Sequence, residues 1–484
     1  MQLTRRNLLQ IGALGAASAG LAACAPTGAP APTTTETWMP PADPMPFPAN
    51  YTWGTATSAF QVEGSTTVDG RGVSIWDTFC AEPRRIRDGS SGDPGADHYN
   101  RWEEDLDLMA DLGLGAYRFS VAWPRIQPLG SGAVNQKGVD FYRRLVDGLV
   151  ERGIKPGVTL YHWDLPQPLQ DAGGWPARDT AYRFADYARI MFDALGDTDA
   201  DWFTINEPKT TSYVGHLYGA HAPGISDADL AAASVHHQLL GHGLAVQQFR
   251  ESGAKGRIGI ALNLTPVYPA SGEFTDSARL VDGMENRLFL DPVLLGSYPD
   301  DAIGSLGGQL HADPAAFAAL VQPGDLEITS APCEFLAIQY YGAGGVGFDG
   351  ASVELWPTSN AVWQQVHAEG LYDLLMRLKA DYPALPIVIT ENGIPDETSA
   401  LTTDDPYRTT YLRDHFVQAA RAIGDGSLLE AHYVWSMLDN FEWAEGYQQR
   451  WGIVAVDFET QQRSPKDSFE FYRGVIAANA VSLS

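Results

Sequence analysis

Two glutamates close apolar, β-branched runs: Glu207 ends FTINE before Pro208, and Glu391 ends PIVITE before Asn392 and Gly393. Proline offers a strand ladder no N–H and restrains the residue before it, so Glu207 belongs at a strand end. One such carboxylate is ordinarily the first residue of a solvated loop. Two of them ask for a shared explanation. Carboxyl groups facing one another across a cleft, with no metal-ligand cluster beside them, suit cleavage of a glycosidic bond. One protonates the leaving oxygen, and the other meets positive charge developing at the anomeric carbon. An ionised partner raises the proton affinity of its neighbour, and that repulsion vanishes once the partner is esterified. The residues alone leave open which glutamate takes which role.

Other chemistries find no support. In VHHQLLGHGLAVQQF, His237 and His242 are five apart and do not share a helical face well, and His236 has no acid at ligand spacing, so a buried helix is the reading. Neither a glycine-rich phosphate loop nor a Ser/His/Asp elbow is present. No metal and no cofactor is expected.

The elements that would position the two glutamates recur along the chain. Short β-branched or aromatic runs at 51–58, 116–123, 155–163, 201–207, 257–264, 334–342, 386–392 and 431–438 alternate with helical segments. In RWEEDLDLMADLG one stripe holds Trp102, Leu106, Met109 and Leu112; in FYRRLVDGLVERG another holds Tyr142, Leu145, Val146, Leu149 and Val150. Eight βα units predict an α/β fold, a single (β/α)8 barrel. The Gly-, Pro- and Ala-rich stretch between the fifth and sixth strands reads as an insertion without strands of its own. In a barrel of this kind chemistry sits at the C-terminal ends of the strands, so Glu207 on the fourth and Glu391 on the seventh would share one rim.

Composition bounds the partners. Among 484 residues, 60 acidic against 32 basic side chains give a net charge of −28, which excludes nucleic acid and anionic membrane surfaces as electrostatic partners. The 13 tryptophans and 20 tyrosines exceed what a core alone asks for, and carbohydrate sites use such faces. Residues 1–23, with Arg5 and Arg6 before an apolar Ala/Gly/Leu stretch, resemble a twin-arginine export signal. The signal ends in LAAC, which resembles a lipoprotein cleavage site that would leave Cys24 lipidated. Residues 24–46 form a Pro/Thr-rich tether, and 47–484 the catalytic barrel. The expected location is the outer side of the cytoplasmic membrane, held by the lipid anchor alone, or secretion without lipidation. Cys80 and Cys333 are then left as thiols by default.

The ordered motifs WGTATSAFQVEG, DGRGVSIWDTF, DHYNRWEEDLDLM, YRFSVAWPRI, TLYHWDLPQPL, FTINEP, ITENG and YVWSMLDNFEWAEGY, covering roughly residues 47 to 475, resemble family 1 glycoside hydrolases, β-glucosidase-type retaining enzymes. The resemblance implies a β-linked oligosaccharide or glucoside substrate, Glu207 as acid/base and Glu391 as nucleophile, with carboxyl groups about 5–5.5 Å apart. Arg118, a charge inside a strand, requires a carboxylate partner, and in the family pattern it holds the nucleophile. Asn206 matches the residue that contacts the sugar 2-hydroxyl. Alternation puts Gln339 and Tyr341 on one face; Tyr341 matches the tyrosine supporting the nucleophile, whereas Gln339 departs from the family's asparagine. Gln61, His162, Trp435, Glu442 and Trp443 match the grip on the non-reducing sugar, where a carboxylate at Glu442 favours a neutral glycone. The alternative from a different class is a lipid-anchored sugar-binding protein on an inactive barrel. A sugar-binding protein would not need Glu207, Glu391, Arg118 and Tyr341 together.

Overall fold

The computed structural model describes residues 40–483; the export signal, Cys24 and most of the tether lie outside the described residues. Eight parallel strands close into a barrel: β1 (Thr52–Ala56), β2 (Ala116–Ser120), β3 (Lys155–Tyr161), β4 (Ala200–Asn206), β5 (Gly256–Asn263), β6 (Leu336–Gln339), β7 (Ile387–Glu391) and β8 (Leu429–Trp435). Each strand pairs with its sequence neighbours, and β8 closes on β1 through Ala431 opposite Thr52 and Trp435 opposite Ala56. The expected runs overlap all eight, but several continue past the ladder. Tyr341 and Met437 lie beyond the ends of β6 and β8 yet are buried, so their ring and side chain are packed in the interior without belonging to a strand.

Helices cover the outside of the barrel. After β1 comes α1 (His98–Leu112), after β2 α2 (Gln136–Glu151), after β3 α3 (Asp179–Leu195) and after β4 α4 (Ala228–Ser252). Helices α5 (Glu369–Asp381), α6 (Pro406–Gly424) and α7 (Asp467–Ala478) follow β6, β7 and β8. The stripe on α1 packs inward as its spacing predicts, with Leu106, Met109 and Leu112 buried; each such side chain contributes about 1.5–3 kcal/mol by leaving water. On α2 the stripe ends one residue earlier than expected. Val150 is 52% exposed. The inner position falls instead to Gly148, where a Cβ would stand 2.6 Å from the Trp102 ring.

Inside the barrel, Ala56, Ala116, Ala261, Ala337 and Ala431 leave room for Phe203, Phe335 and Tyr433. The interior is therefore a packed floor beneath the rim. The insertion after β5 does carry a strand, contrary to the expectation from its composition. Val267–Pro269 pairs in parallel with Gly344–Val346, which pairs antiparallel with Ser352–Val353. Runs of two or three residues show no period, and their partners lie far along the chain. Met45–Pro46 pairs antiparallel with Ala480–Val481, which joins the first and last elements of the described residues. Among the described residues no helix is long and apolar enough to cross a membrane.

Candidate active site

Both glutamates reach the rim just past an irregularity in their strands. Between Phe203 and Asn206, β4 carries an extra residue relative to β5, and between Ile389 and Glu391, β7 does so relative to β6. Such bulges re-aim the side chains that follow. Glu207 then turns into the left-handed region (φ 46°), its N–H donating to the Ala261 carbonyl at 2.9 Å, while Pro208 begins the next helix, 208–212. After Glu391 the chain passes so close to the Trp435 carbonyl that only Gly393 fits, since a Cβ there would lie 1.9 Å from that oxygen.

Glu391 is 3% exposed and held at both oxygens. Arg118 Nη1 donates to Oε1 at 2.6 Å, and the Tyr341 hydroxyl donates to Oε2 at 2.6 Å. Arg118, wholly buried inside β2, thus has the carboxylate partner its position requires, and its guanidinium also lies 5.2 Å from the centre of the Phe203 ring. Burial pushes the Glu391 carboxyl above its ordinary value, and Arg118 and then Tyr341 pull it back. Cys80 and Cys333, the two cysteines among the described residues, are both free.

Glu207 is 5% exposed and, among the described residues, receives no arginine. Burial first, and repulsion from Glu391 second, push its carboxyl up to about 7; hydrogen bonds from Thr210 and Asn263 and the charge of Lys209 oppose the rise. The Thr210 hydroxyl lies 2.6 Å from Oε2, and Lys209 is itself paired with Glu285 at 2.9 Å. Thr210 and Asn263 were not singled out in the sequence. A lone hydroxyl or amide carries no pattern, although Thr210 stands one helical turn after Glu207 and could have been found on that spacing.

Asn206 links the two carboxyl regions. Its Oδ1 accepts from Arg118 Nη2 at 2.5 Å and from Gln339 Nε2 at 2.6 Å, its Nδ2 lies 3.1 Å from His162 Nε2, and its carbonyl accepts from Trp163 Nε1 at 3.0 Å. Burial and then Arg118 hold His162 well below the usual imidazole value, so the ring is neutral at pH 7. The His162 ring is near-parallel to those of Trp435 and Trp443, with centres 5.8 and 5.9 Å away. Gln61 donates to the Asn440 side chain at 3.0 Å, to the Phe441 carbonyl at 2.9 Å and to Glu442 Oε2 at 3.4 Å. It thereby ties the end of β1 to the loop carrying Glu442 and Trp443. Burial, and then Glu445, Glu391 and Glu207, raise Glu442 well above the ordinary carboxyl value. Asn440 and Trp163 were missed because each acts through a backbone or amide contact. Trp363 is 43% exposed and packs edge-to-face with Tyr341, ring centres 5.5 Å apart.

The ten expected catalytic and sugar-contacting residues therefore lie in one connected set, nine at the C-terminal rim or on its loops and Arg118 reaching it from within β2. The family described as Glycosyl hydrolase family 1 matches residues 44–481. The chain is 45% identical over 447 residues to Beta-glucosidase A of Acetivibrio thermocellus, covering 90% of this chain and 98% of that one. It is 40% identical over 465 residues to a bifunctional beta-D-glucosidase/beta-D-fucosidase of Bifidobacterium breve, with 90% and 98% covered. The solved structure of the beta-glucosidase from Thermotoga maritima in complex with glucoimidazole superposes with a TM-score of 0.85 at 42% identity, over 90% of this chain and all of that one.

Proposed function

Because the chain belongs to glycosyl hydrolase family 1, we propose that it is a retaining, exo-acting β-glucosidase with Glu207 as acid/base and Glu391 as nucleophile. The observation that carries this reading is the unequal treatment of two buried carboxyls. Glu391 is bound by a guanidinium and a phenol, which favour the ionised form, whereas Glu207 rises to about 7 and holds a proton near neutral pH.

In the first step Glu391 attacks the anomeric carbon while Glu207 protonates the leaving oxygen, which departs as an alcohol. Double displacement needs the two carboxyl groups about 5–5.5 Å apart. The covalent ester removes the Glu391 charge, the repulsion that raised Glu207 disappears, and Glu207 then takes a proton from the attacking water. Asn206 presents its amide to the sugar 2-hydroxyl, a bond that strengthens in the transition state. Gln61, His162, Trp435, Glu442 and Trp443 form the box for the terminal sugar, with hydroxyls meeting amide, imidazole and carboxyl groups, and ring faces meeting indoles. At Glu442 the box offers a carboxyl group rather than a cation to the sugar, which supports a neutral glycone over a phosphorylated one. The substrate is a β-linked glucosyl group, with β-fucosyl also accepted, as the name of the Bifidobacterium breve relative describes for that protein.

Proton NMR of 4-nitrophenyl β-D-glucoside hydrolysis tests the reading. Release of β-glucose before mutarotation is the expected result; first appearance of α-glucose, or no release of nitrophenol, would overturn it.

The segment up to LAAC supports export and lipid anchoring through Cys24, which would place the enzyme outside the cytoplasmic membrane. Full-length protein expressed in a bacterium should partition into the detergent phase, and its Cys24→Ala variant into the aqueous phase. Equal partitioning of the two would refute the anchor.

A further inference from the structure

We propose that Gln339 is a positioning residue for the sugar 2-hydroxyl contact, fixing the orientation of the Asn206 amide through both halves of the reaction. The proposal rests on the hydrolase reading above.

An asparagine amide can turn over and exchange its oxygen with its nitrogen. At Asn206 two donors remove that freedom. Oδ1 receives both Arg118 Nη2 and Gln339 Nε2, at 2.5 and 2.6 Å, so Nδ2 must lie on the opposite side, where it donates to neutral His162 Nε2 at 3.1 Å. The imidazole proton is then on Nδ1. Gln339 is itself fully buried at the end of β6, and its Oε1 makes no hydrogen bond among the described residues. If the Gln339 amide turned over, that oxygen would face Asn206 Oδ1, two acceptors in contact with no proton between them. Only one orientation of each amide satisfies the set.

Arg118 alone does not secure this arrangement. Its guanidinium also binds Glu391, through Nη1 at 2.6 Å. When Glu391 becomes an ester its charge is gone, and the guanidinium loses the attraction that centres it between Glu391 and Asn206. Gln339 carries no charge, and its contact to Asn206 does not depend on the state of Glu391. It keeps the amide aimed at the sugar while the ester waits for water. The same neutral donor also leaves the balance of charge around the nucleophile unaltered.

The experiment measures kcat and KM of the wild-type protein and the Gln339→Leu and Gln339→Glu variants on 4-nitrophenyl β-D-glucoside and on its 2-deoxy counterpart. Gln339→Leu removes the donor at similar volume. On the glucoside kcat/KM should fall about tenfold, the value of one hydrogen bond, mainly through kcat; on the 2-deoxy glycoside it should change less than about twofold. Gln339→Glu, which keeps the shape and sets an acceptor against Oδ1, should lose more on the glucoside and equally little on the 2-deoxy substrate. That variant carries the test if the leucine variant does not fold. In an Asn206→Ala background, Gln339→Leu should cost nothing further. Equal losses on the two substrates, no loss on either, or additive losses in the double variant would each overturn the assignment. If wild-type protein releases nitrophenol from neither glycoside, the hydrolase reading fails; if it acts on both and the variants keep the wild-type ratio, the role of Gln339 alone fails.

Discussion

The two ends of the cleft treat the same side chain in opposite ways. At Glu391 both oxygens are engaged by donors mounted on the barrel, Arg118 from within β2 and Tyr341 just past β6, and one of those donors is a permanent cation. At Glu207 the residue leaves the ladder in a left-handed conformation, and its hydrogen-bonding support comes from a neutral hydroxyl on the following turn and an amide at the end of β5. Burial is similar at both, so burial cannot separate their roles. The donors do. A cation and a phenol stabilise an anion in place, whereas at Glu207 burial raises the proton affinity and the charge on Glu391 raises it further, so that part of the rise is lost when Glu391 is esterified.

The largest effect should come from removing the fixed end. Glu391→Gly should lose turnover on every β-glycoside, by about four orders of magnitude or more, because no other group can form the ester. Glu207→Ala should discriminate between substrates. An alkyl or sugar leaving group needs protonation and should lose about 10²–10⁴-fold in kcat/KM, while 2,4-dinitrophenyl β-glucoside should lose less than about tenfold. Equal losses on activated and unactivated substrates would contradict the contrast between the two ends.

A smaller change should blunt the fixed end without removing it. Tyr341→Phe deletes a hydrogen bond to a charged group, and roughly 10- to 100-fold in kcat/KM is the expected loss. Since that bond lowers the pKa of Glu391, its absence should raise it, and the acidic limb of the kcat/KM profile should move to higher pH. An acidic limb that stays in place would mean that Arg118 alone sets the ionisation of the nucleophile.

Much of this contrast was legible before any coordinates, and the reasons differ from residue to residue. β-branched runs and the proline after Glu207 mark strand ends, and strand ends in a barrel share a rim, so the meeting of Glu207 and Glu391 follows from local features. Arg118 announces a partner because a charge inside a strand cannot stand alone. Val150 misled because helical spacing sets a stripe but not its edge, and the inner place had gone to a glycine against Trp102. The strand at Val267–Pro269 was hidden because it is too short to show alternation, and its partner at Gly344–Val346 is distant in sequence. The effect of Gln339 depends on reach: one amide meeting another across the barrel mouth is a rotamer fact that residue type does not encode.

Thr210 gives the finest measure of the contrast. Its hydroxyl donates to Glu207 and so favours the ionised form, lowering a pKa that burial and Glu391 have raised to about 7. Thr210→Val keeps the shape and deletes the donor, so the Glu207 pKa should rise. The acid must be protonated for the first step, and the alkaline limb of kcat/KM should therefore move to higher pH while its acidic limb, set by Glu391, stays where it is. At the optimum the loss should be under about tenfold, since one neutral donor is removed and the proton still reaches the leaving oxygen. If instead the acidic limb moves, or both limbs move together, the Thr210 hydroxyl is acting on the nucleophile end as well, and the two carboxyls are less independent than their donors indicate.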